Sequence, residues 1–544
     1  MIVYGDRQRA ANINELLDSI ASSLHRAAGA AGPDRDEHLM RAFLDGAGLA
    51  QGLIDREFEQ SGEDDLTPLH AAAMSLTQAL ALAQASGAPA GLEALASVAA
   101  LAPDGCVKVK EPEGYAFYAV YPDAYRQAAL ARAWTEPPLV IGLRSIGVGL
   151  ASAVAAACGA RIALTLRPCG PPFRREVRVS ASIRSLLSQH DGPFAIVDEG
   201  PGLSGSSFGC VADLLEDLGV GLERIVFLPS HCGDPGPQAL PRHAGRWAVA
   251  QRCVKTLDDL LATGLMAELF ADVVGAATQV EDLSGGRWLA LQAKAPPANP
   301  GRERRKFRIT TRTGVWLARF AGLGAIGEAK FLRAKALHTA GFTPRPYALR
   351  KGFLLERWEP GSSLASSPAD RGNFLDHLAR YLAFRARAFP ASLAEGASPE
   401  VLCAMALHNA GVQPDPPRLG RPVHVDGKLH AWEWLRRADG GYLKLDALDH
   451  SCSHDVIGCQ DIAWDIAGAA AEFRLSPDEA DVLRQRVEEY GGPAVDPAAV
   501  SFFDICYAAF HLGVWTYAGE SPGADRQRRF YRNRLDAILP RADR

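Results

Sequence analysis

The sequence predicts an α/β chain in two parts. A helical N-terminal region leads into a doubly wound parallel sheet, and an α+β domain follows. Three observations predict this. Apolar residues recur at three- and four-residue spacing through residues 1–105. From Pro138, short apolar runs alternate with helical stretches, the signature of a parallel sheet with crossover helices. Beyond a stretch rich in Pro, Ala and charge at 292–305, the texture becomes strand, turn, strand, helix.

In chain order, "ANINELLDSIASSLHRAA" and "TPLHAAAMSLTQALALAQAS" read as alanine-rich helices. "CVKVKEPEGYAFYAVYPDAY", from Cys106, alternates and reads as a strand or hairpin followed by a helix. "PLVIGL", "RIALTLRP", "FAIVDEG" and "RIVFLPS" read as four buried strands, with helices at "LASAVAAACGA" and "SSFGCVADLLEDLGV". The 292–305 stretch fits either a linker or a long surface loop. After it come two strands in "RRKFRITTRTGVWLARFAG", a helix in "GEAKFLRAKALHTAG" and a strand in "GFLLERW". The last 75 or so residues read as mostly helical. The expected division is 1–105 helical, 106–275 around the parallel sheet, and 280–544 for the second part.

The 544 residues carry 58 Lys+Arg against 63 Asp+Glu, a net charge of −5. That balance does not suggest a nucleic-acid partner. No run reaches the roughly 18 apolar residues of a membrane span, and the start lacks a secretory pattern. None of the 10 cysteines forms a CxxC pair, as in a protein with reduced thiols. The expectation is a cytoplasmic protein without a membrane partner.

"IVDEGPGLSGSSF", residues 196–208, carries the first chemistry. Asp198 and Glu199 end a buried strand, where two like charges need donors or a cation opposite them. A ribose diol supplies donors, and Mg²⁺ bound with the substrate supplies charge. Gly202 and Gly205 allow a tight turn with inward N–H groups, and Ser204, Ser206 and Ser207 add hydroxyls. The helix behind them presents its positive end. This is the chemistry of a cradle for a sugar 5′-phosphate.

Residues 138–230 resemble the type I phosphoribosyltransferases, whose hallmark is a strand, two acids, a spacer and Thr-Gly-x-Thr. Here Ser replaces Thr, Glu replaces the second Asp, and the spacer is one residue longer. The resemblance implies Asp198 and Glu199 as catalytic acids on the ribose diol. It implies a pyrophosphate loop at Arg144, Ser145 and Gly147, and a mobile loop at 167–178 bringing Arg174 and Arg175. The substrate implied is phosphoribosyl diphosphate with Mg²⁺, and the acceptor a small nitrogenous molecule. Ser230, His231, Gln238, His243, Trp247, Tyr118 and Tyr121 are the candidates for reading that acceptor.

The second part resembles the aminoglycoside-phosphotransferase-like kinases. "WLARF" puts Arg319 at the family's strand-lysine position, and Glu328 at its helix glutamate. "VDGKLHAWEWL" aligned on Leu429-His430 puts Lys428 where the catalytic Asp stands, with Asp426 two residues earlier. The family's Asn falls near Trp432 or Glu433. Asp446 or Asp449 is the implied Mg²⁺ ligand, with ATP as partner, and Asp465 fits the structural Asp of the terminal segment. The acids and histidines of "DALDHSCSHD" (Asp446, Asp449, His450, His454, Asp455) are a second metal-binding option. The function expected is a phosphoribosyltransferase fused to an atypical kinase-like domain. Two alternatives stand beside it: a sensor that binds phosphoribosyl diphosphate or a nucleotide without turnover, and a small-molecule kinase with a vestigial transferase half.

Overall fold

The computed structural model describes the chain except residues 6, 293–294, 366–369, 453–454 and 540–544. His454 therefore lies outside the described residues. The chain is a mixed α/β protein with two main sheets.

Four helices, Ile13–Gly29, Gly32–Ser61, Pro68–Ser86 and Leu92–Leu101, open it. Their ends follow the local sequence. Asn12 accepts from the N–H groups of Asn14 and Glu15, Thr67 accepts from His70, and Gly62 and Gly87 close two helices in the left-handed region. Cys106–Lys110 is a strand, as its alternation predicts. Its antiparallel partner is Gln8–Asn12 at the head of the helices, so no local hairpin forms there.

The parallel sheet comprises β1 (Leu139–Leu143), β2 (Ala163–Leu166), β3 (Phe194–Val197), β4 (Ile225–Leu228) and β5 (Gln251–Arg252), in the order 2-1-3-4-5. Both faces are covered, which is why its strands read as unbroken apolar runs. Val140, Ala195, Val197 and Val226 pack toward helix Gly147–Cys158. Ile141, Phe194, Ile196 and Phe227 pack toward helix Ser206–Asp217. The strand order reverses between β1 and β3, and ligands of such sheets bind at that reversal, beyond the carboxyl ends of the strands. The loops carrying Arg144 and Asp198 both leave from there.

The second sheet is antiparallel: β6 (Ala277–Asp282), β7 (Lys306–Thr311), β8 (Gly314–Phe320), β9 (Pro346–Arg350) and β10 (Phe353–Arg357), in the order 6-7-8-10-9. Because β6 pairs with β7, residues 295–305 fall between two strands of one sheet. Helix Ala325–Thr339 packs against β9 and β10. Below lie helices Arg371–Ala388, Pro399–Ala410, Ala463–Glu472, Pro477–Glu489, Pro497–Tyr517 and Ala524–Ile538, with a small sheet that includes Trp434–Arg436 and Tyr442–Lys444. Helix Pro497–Tyr517 is long and apolar enough to cross a membrane, and most of it is buried among its neighbours.

The two parts share packing. One apolar cluster joins Tyr115, Tyr121 and Leu150 to Phe320 and Phe353. The Leu323 N–H donates to the Tyr115 carbonyl at 3.0 Å. The first residues of the chain run along the second part, where Ile2 and Asn409 exchange hydrogen bonds of 2.9 and 3.1 Å.

Candidate active site

At the end of β3, Asp198 and Glu199 sit side by side. Burial pushes Asp198 up to about 7, against the Glu199 N–H and the charges of Arg175 and Arg167. Burial, with the negative charges of Asp198 and Glu113, pushes Glu199 up to about 8, against a hydrogen bond from the Gly114 N–H. Gly114 lies so close that a β-carbon there would meet Glu199 Oε2 at 2.8 Å and Ile146 Cδ1 at 2.7 Å. The Tyr125 hydroxyl donates to the Asp198 carbonyl at 2.8 Å.

The loop after these acids turns at Gly202 and Gly205, at φ +59° and +62°. Ser206–Asp217 then begins without a side-chain cap. Ser204 and Ser206 donate to the Pro172 carbonyl at 2.8 and 2.6 Å, so the 167–178 arm folds onto this loop. Ser207 is half-buried beside them. Arg174 and Arg175 on the arm are exposed, with Arg175 near enough to act on Asp198.

Ser145 and Gly147 stand in the turn after β1. Ser145 holds φ +144°, and a β-carbon on Gly147 would lie 2.9 Å from the Val197 carbonyl. Arg144 departs from its expected role. Its side chain is fully buried, paired with Asp64 and with Asp55 at 3.1 Å, and it donates to the Thr165 carbonyl at 3.1 Å. Of the acceptor-reading candidates, Trp247 stacks on Phe227 in the core, His243 faces Asp213 at 3.2 Å, and Tyr121 bonds the Lys351 carbonyl. His231 packs on Gly200, the residue after the acids, where a β-carbon would meet its Nε2 at 2.8 Å.

The second cluster lies between the antiparallel sheet and the helices below it. Asp465, in the first turn of Ala463–Glu472, accepts from the N–H groups of Asp426 and Gly427 at 2.7 and 2.9 Å. Burial raises Asp426, but Lys444, His450 and Arg385 outweigh it and hold its carboxyl down at about 2. Arg385 ties this loop down through the carbonyls of His424, Val425 and Ala447. Lys428 follows, with its ammonium depressed by burial, a shift that favours the free amine.

Glu433, Asp446 and His450 bring ligand atoms within 4.8 Å of one another. Lys444 lies 2.8 Å from Glu433. His450 faces Asp446 at 3.5 Å; burial and the charge of Lys428 lower it, yet Asp446 and Asp426 push it up to about 9. From β8, Arg319 reaches Glu356 at 3.0 Å and Asp446 at 3.1 Å, with Asp449 at 3.9 Å. Lys330 of helix Ala325–Thr339 binds Asp449 at 2.5 Å.

Glu328 is the second departure. It faces outward and pairs with Arg41 of the N-terminal helices, away from Arg319. Lys330 is two residues on, about 200° around the helix, and so it is the residue that faces the cleft. Lys330, Glu356 and Lys444 carry no motif in the sequence; Glu356 and Lys444 are signalled only by their charge within apolar strands, and Lys330 stands in a helix with other charged residues. Glu433 and Asp446 offer the carboxylate oxygens that Mg²⁺ takes, and the Asp446 side chain is 41% exposed. They are fit to hold that ion with the phosphates of a nucleotide.

No known family model matches the sequence, and no curated protein does. Similar solved structures include the choline kinase LicA from Streptococcus pneumoniae, 14% identical over 51% of this chain and 99% of that one, with a TM-score of 0.34. A spectinomycin phosphotransferase complexed with ADP and spectinomycin is 12% identical over 51% of this chain and 97% of that one, at 0.34. An ethanolamine kinase of Plasmodium vivax is 11% identical over 52% and 89%, also at 0.34.

Proposed function

We propose that the second part of the chain is a Mg²⁺-nucleotide-dependent phosphotransferase acting on a small molecule. The supporting observation is convergence. Arg319 and Glu356 on the sheet meet Asp446 on the loop below, with Arg319 Nη1 3.1 Å from Asp446 and Glu433 beside it. Such transfer depends on positioning and charge more than on covalent chemistry. In this reading Glu433 and Asp446 hold Mg²⁺, which offsets phosphate charge. Arg319 and Lys330 bring positive charge to the phosphates.

The test is calorimetry with ATP and MgCl₂ on the full chain and on Asp446→Asn. Saturable binding that the variant loses is expected. A folded wild type that binds no nucleotide would sink this reading.

The parallel sheet supports a second reading, a site for a ribose 5-phosphate such as that of phosphoribosyl diphosphate. In its favour, Asp198, Glu199 and the Gly202–Ser207 loop follow β3 beside the strand-order reversal, where ligands of such sheets bind. With Arg144 committed to Asp64 and Asp55, binding without turnover accords with the site better than pyrophosphate transfer. Titration with phosphoribosyl diphosphate and Mg²⁺ checks this. The ligand should bind the wild type and fail on the Asp198→Ala/Glu199→Ala double variant, and pyrophosphate release with any acceptor would restore the transferase.

A further inference from the structure

A pocket of about 790 Å³ opens beside the Ala431–Glu433 segment, within the size range of small-molecule sites. Ala431 and Trp432 form one wall, and Glu433, next in the chain, belongs to the acid cluster just described. The opposite wall is helix Ala524–Ile538.

Its charge is lopsided. Arg474, Arg526, Arg529 and Arg534 all line it. Arg534 is paired with Asp504 at 3.0 Å. Among the described residues, the other three form no ion pair, and Arg474 lies over the Phe530 ring at 5.6 Å. Glu472, the acid in the wall, is spoken for by His430 at 2.9 Å and by the hydroxyls of Tyr531 and Tyr507 at 2.6 and 3.1 Å. Gln527 is 7% exposed and lines the pocket, and its amide oxygen is buried with no hydrogen-bond partner among the described residues. Trp432 gives one face to His430, with ring centres 4.3 Å apart, and also lines the pocket.

Uncompensated guanidinium groups recognise phosphate, and an indole recognises a flat ring. We infer that this pocket takes the acceptor of the phosphotransfer, and that the acceptor is a small phosphate monoester bearing a planar ring and a free hydroxyl. The inference rests on the kinase reading above. In the reaction the acceptor hydroxyl oxygen forms a bond to the γ-phosphorus of ATP. The bond from that phosphorus to the β–γ bridging oxygen breaks, ADP leaves, and the hydroxyl proton passes to solvent.

The probe is phenyl phosphate, which has the ring and the monoester but no ribose; phenol is the control. Each is titrated into the full chain, into Arg526→Glu/Arg529→Glu and into Asp446→Asn. Both altered arginines are exposed, so the double variant should fold. Phenyl phosphate should bind at least tenfold more tightly than phenol. The double variant should lose at least tenfold of that affinity and keep Mg-ATP binding. Asp446→Asn should lose Mg-ATP and keep phenyl phosphate. Equal affinity for phenol, or affinity unchanged in the double variant, overturns the inference. So does a chain that binds Mg-ATP and not phenyl phosphate. Phenyl phosphate bound through Arg526 and Arg529 by a chain that never binds Mg-ATP keeps the anion pocket and removes the phosphotransfer.

Discussion

Asp465 holds Asp426 by its backbone: its carboxylate accepts the Asp426 N–H at 2.7 Å and the Gly427 N–H at 2.9 Å. The partnership fixes the loop on which Lys428 stands. It carries a cost, because burial and the charge of Asp426 push Asp465 up to about 6.

Asp465→Ala strands both buried N–H groups, each worth about 1–3 kcal/mol when left unmade. We expect a loss of about 2–5 kcal/mol in urea unfolding, together with Mg-ATP binding. Asp465→Asn, which keeps one acceptor oxygen, should lose less. A variant as stable as the wild type would mean the loop is held by Arg385 alone.

Arg144 gives the second prediction. Arg144→Met leaves the buried Asp64 without its guanidinium partner, while Asp55 keeps Arg167, and breaking a buried pair costs about 3–5 kcal/mol. The effect should appear in thermal unfolding of the ligand-free chain. Phosphoribosyl diphosphate affinity of whatever fraction stays folded should change little. A stable Arg144→Met with lost ligand affinity would return Arg144 to the pyrophosphate role.

These two residues mark where the sequence was readable and where it was not. The strands of the parallel sheet are legible because they are buried on both faces, and Asp465 is legible through its "WDIAG" context. Partners brought from far along the chain are not. Nothing near Arg144 announces Asp64, 80 residues away, and nothing near Cys106 announces Gln8. Ala277–Asp282 reads poorly because an edge strand with exposed Thr278 and Gln279 has no apolar run to betray it. Glu328 was placed by motif position, but helical geometry decides the face, and it turned Lys330 inward instead.

The acid pair at β3 makes stability depend on pH. Asp198 at about 7 and Glu199 at about 8 both lie above their unfolded values, near 4. The folded chain therefore keeps protons that the unfolded chain has released. This contribution is full below about pH 4 and is lost as pH rises through 7 and 8. Both side chains keep some contact with solvent, which screens the effect to on the order of 1–2 kcal/mol. Asp198→Asn/Glu199→Gln should flatten the unfolding free energy between pH 5 and 8. It should also exceed the wild type at pH 8. An identical pH slope in the variant would place the titration elsewhere.

Glu328 and Glu356 separate motif from geometry. Glu328 is 45% exposed and pairs with Arg41, so Glu328→Gln removes a surface ion pair worth at most about 1 kcal/mol. Glu356 is 3% exposed and meets Arg319 at 3.0 Å. Glu356→Gln removes the nearest negative charge from a buried guanidinium that also holds Asp446. It should cost about 3 kcal/mol or more and weaken Mg-ATP, since Arg319 would then lean further onto Asp446 and compete with the metal. Lys330→Met should weaken Mg-ATP as well, because it frees the Asp449 charge beside the phosphates. The measurement is one calorimetric series on the three variants. If Glu328→Gln were the damaging one, the helix would have to turn during nucleotide binding to bring Glu328 to Arg319. An intact Glu356→Gln would strip the sheet of its part in the site.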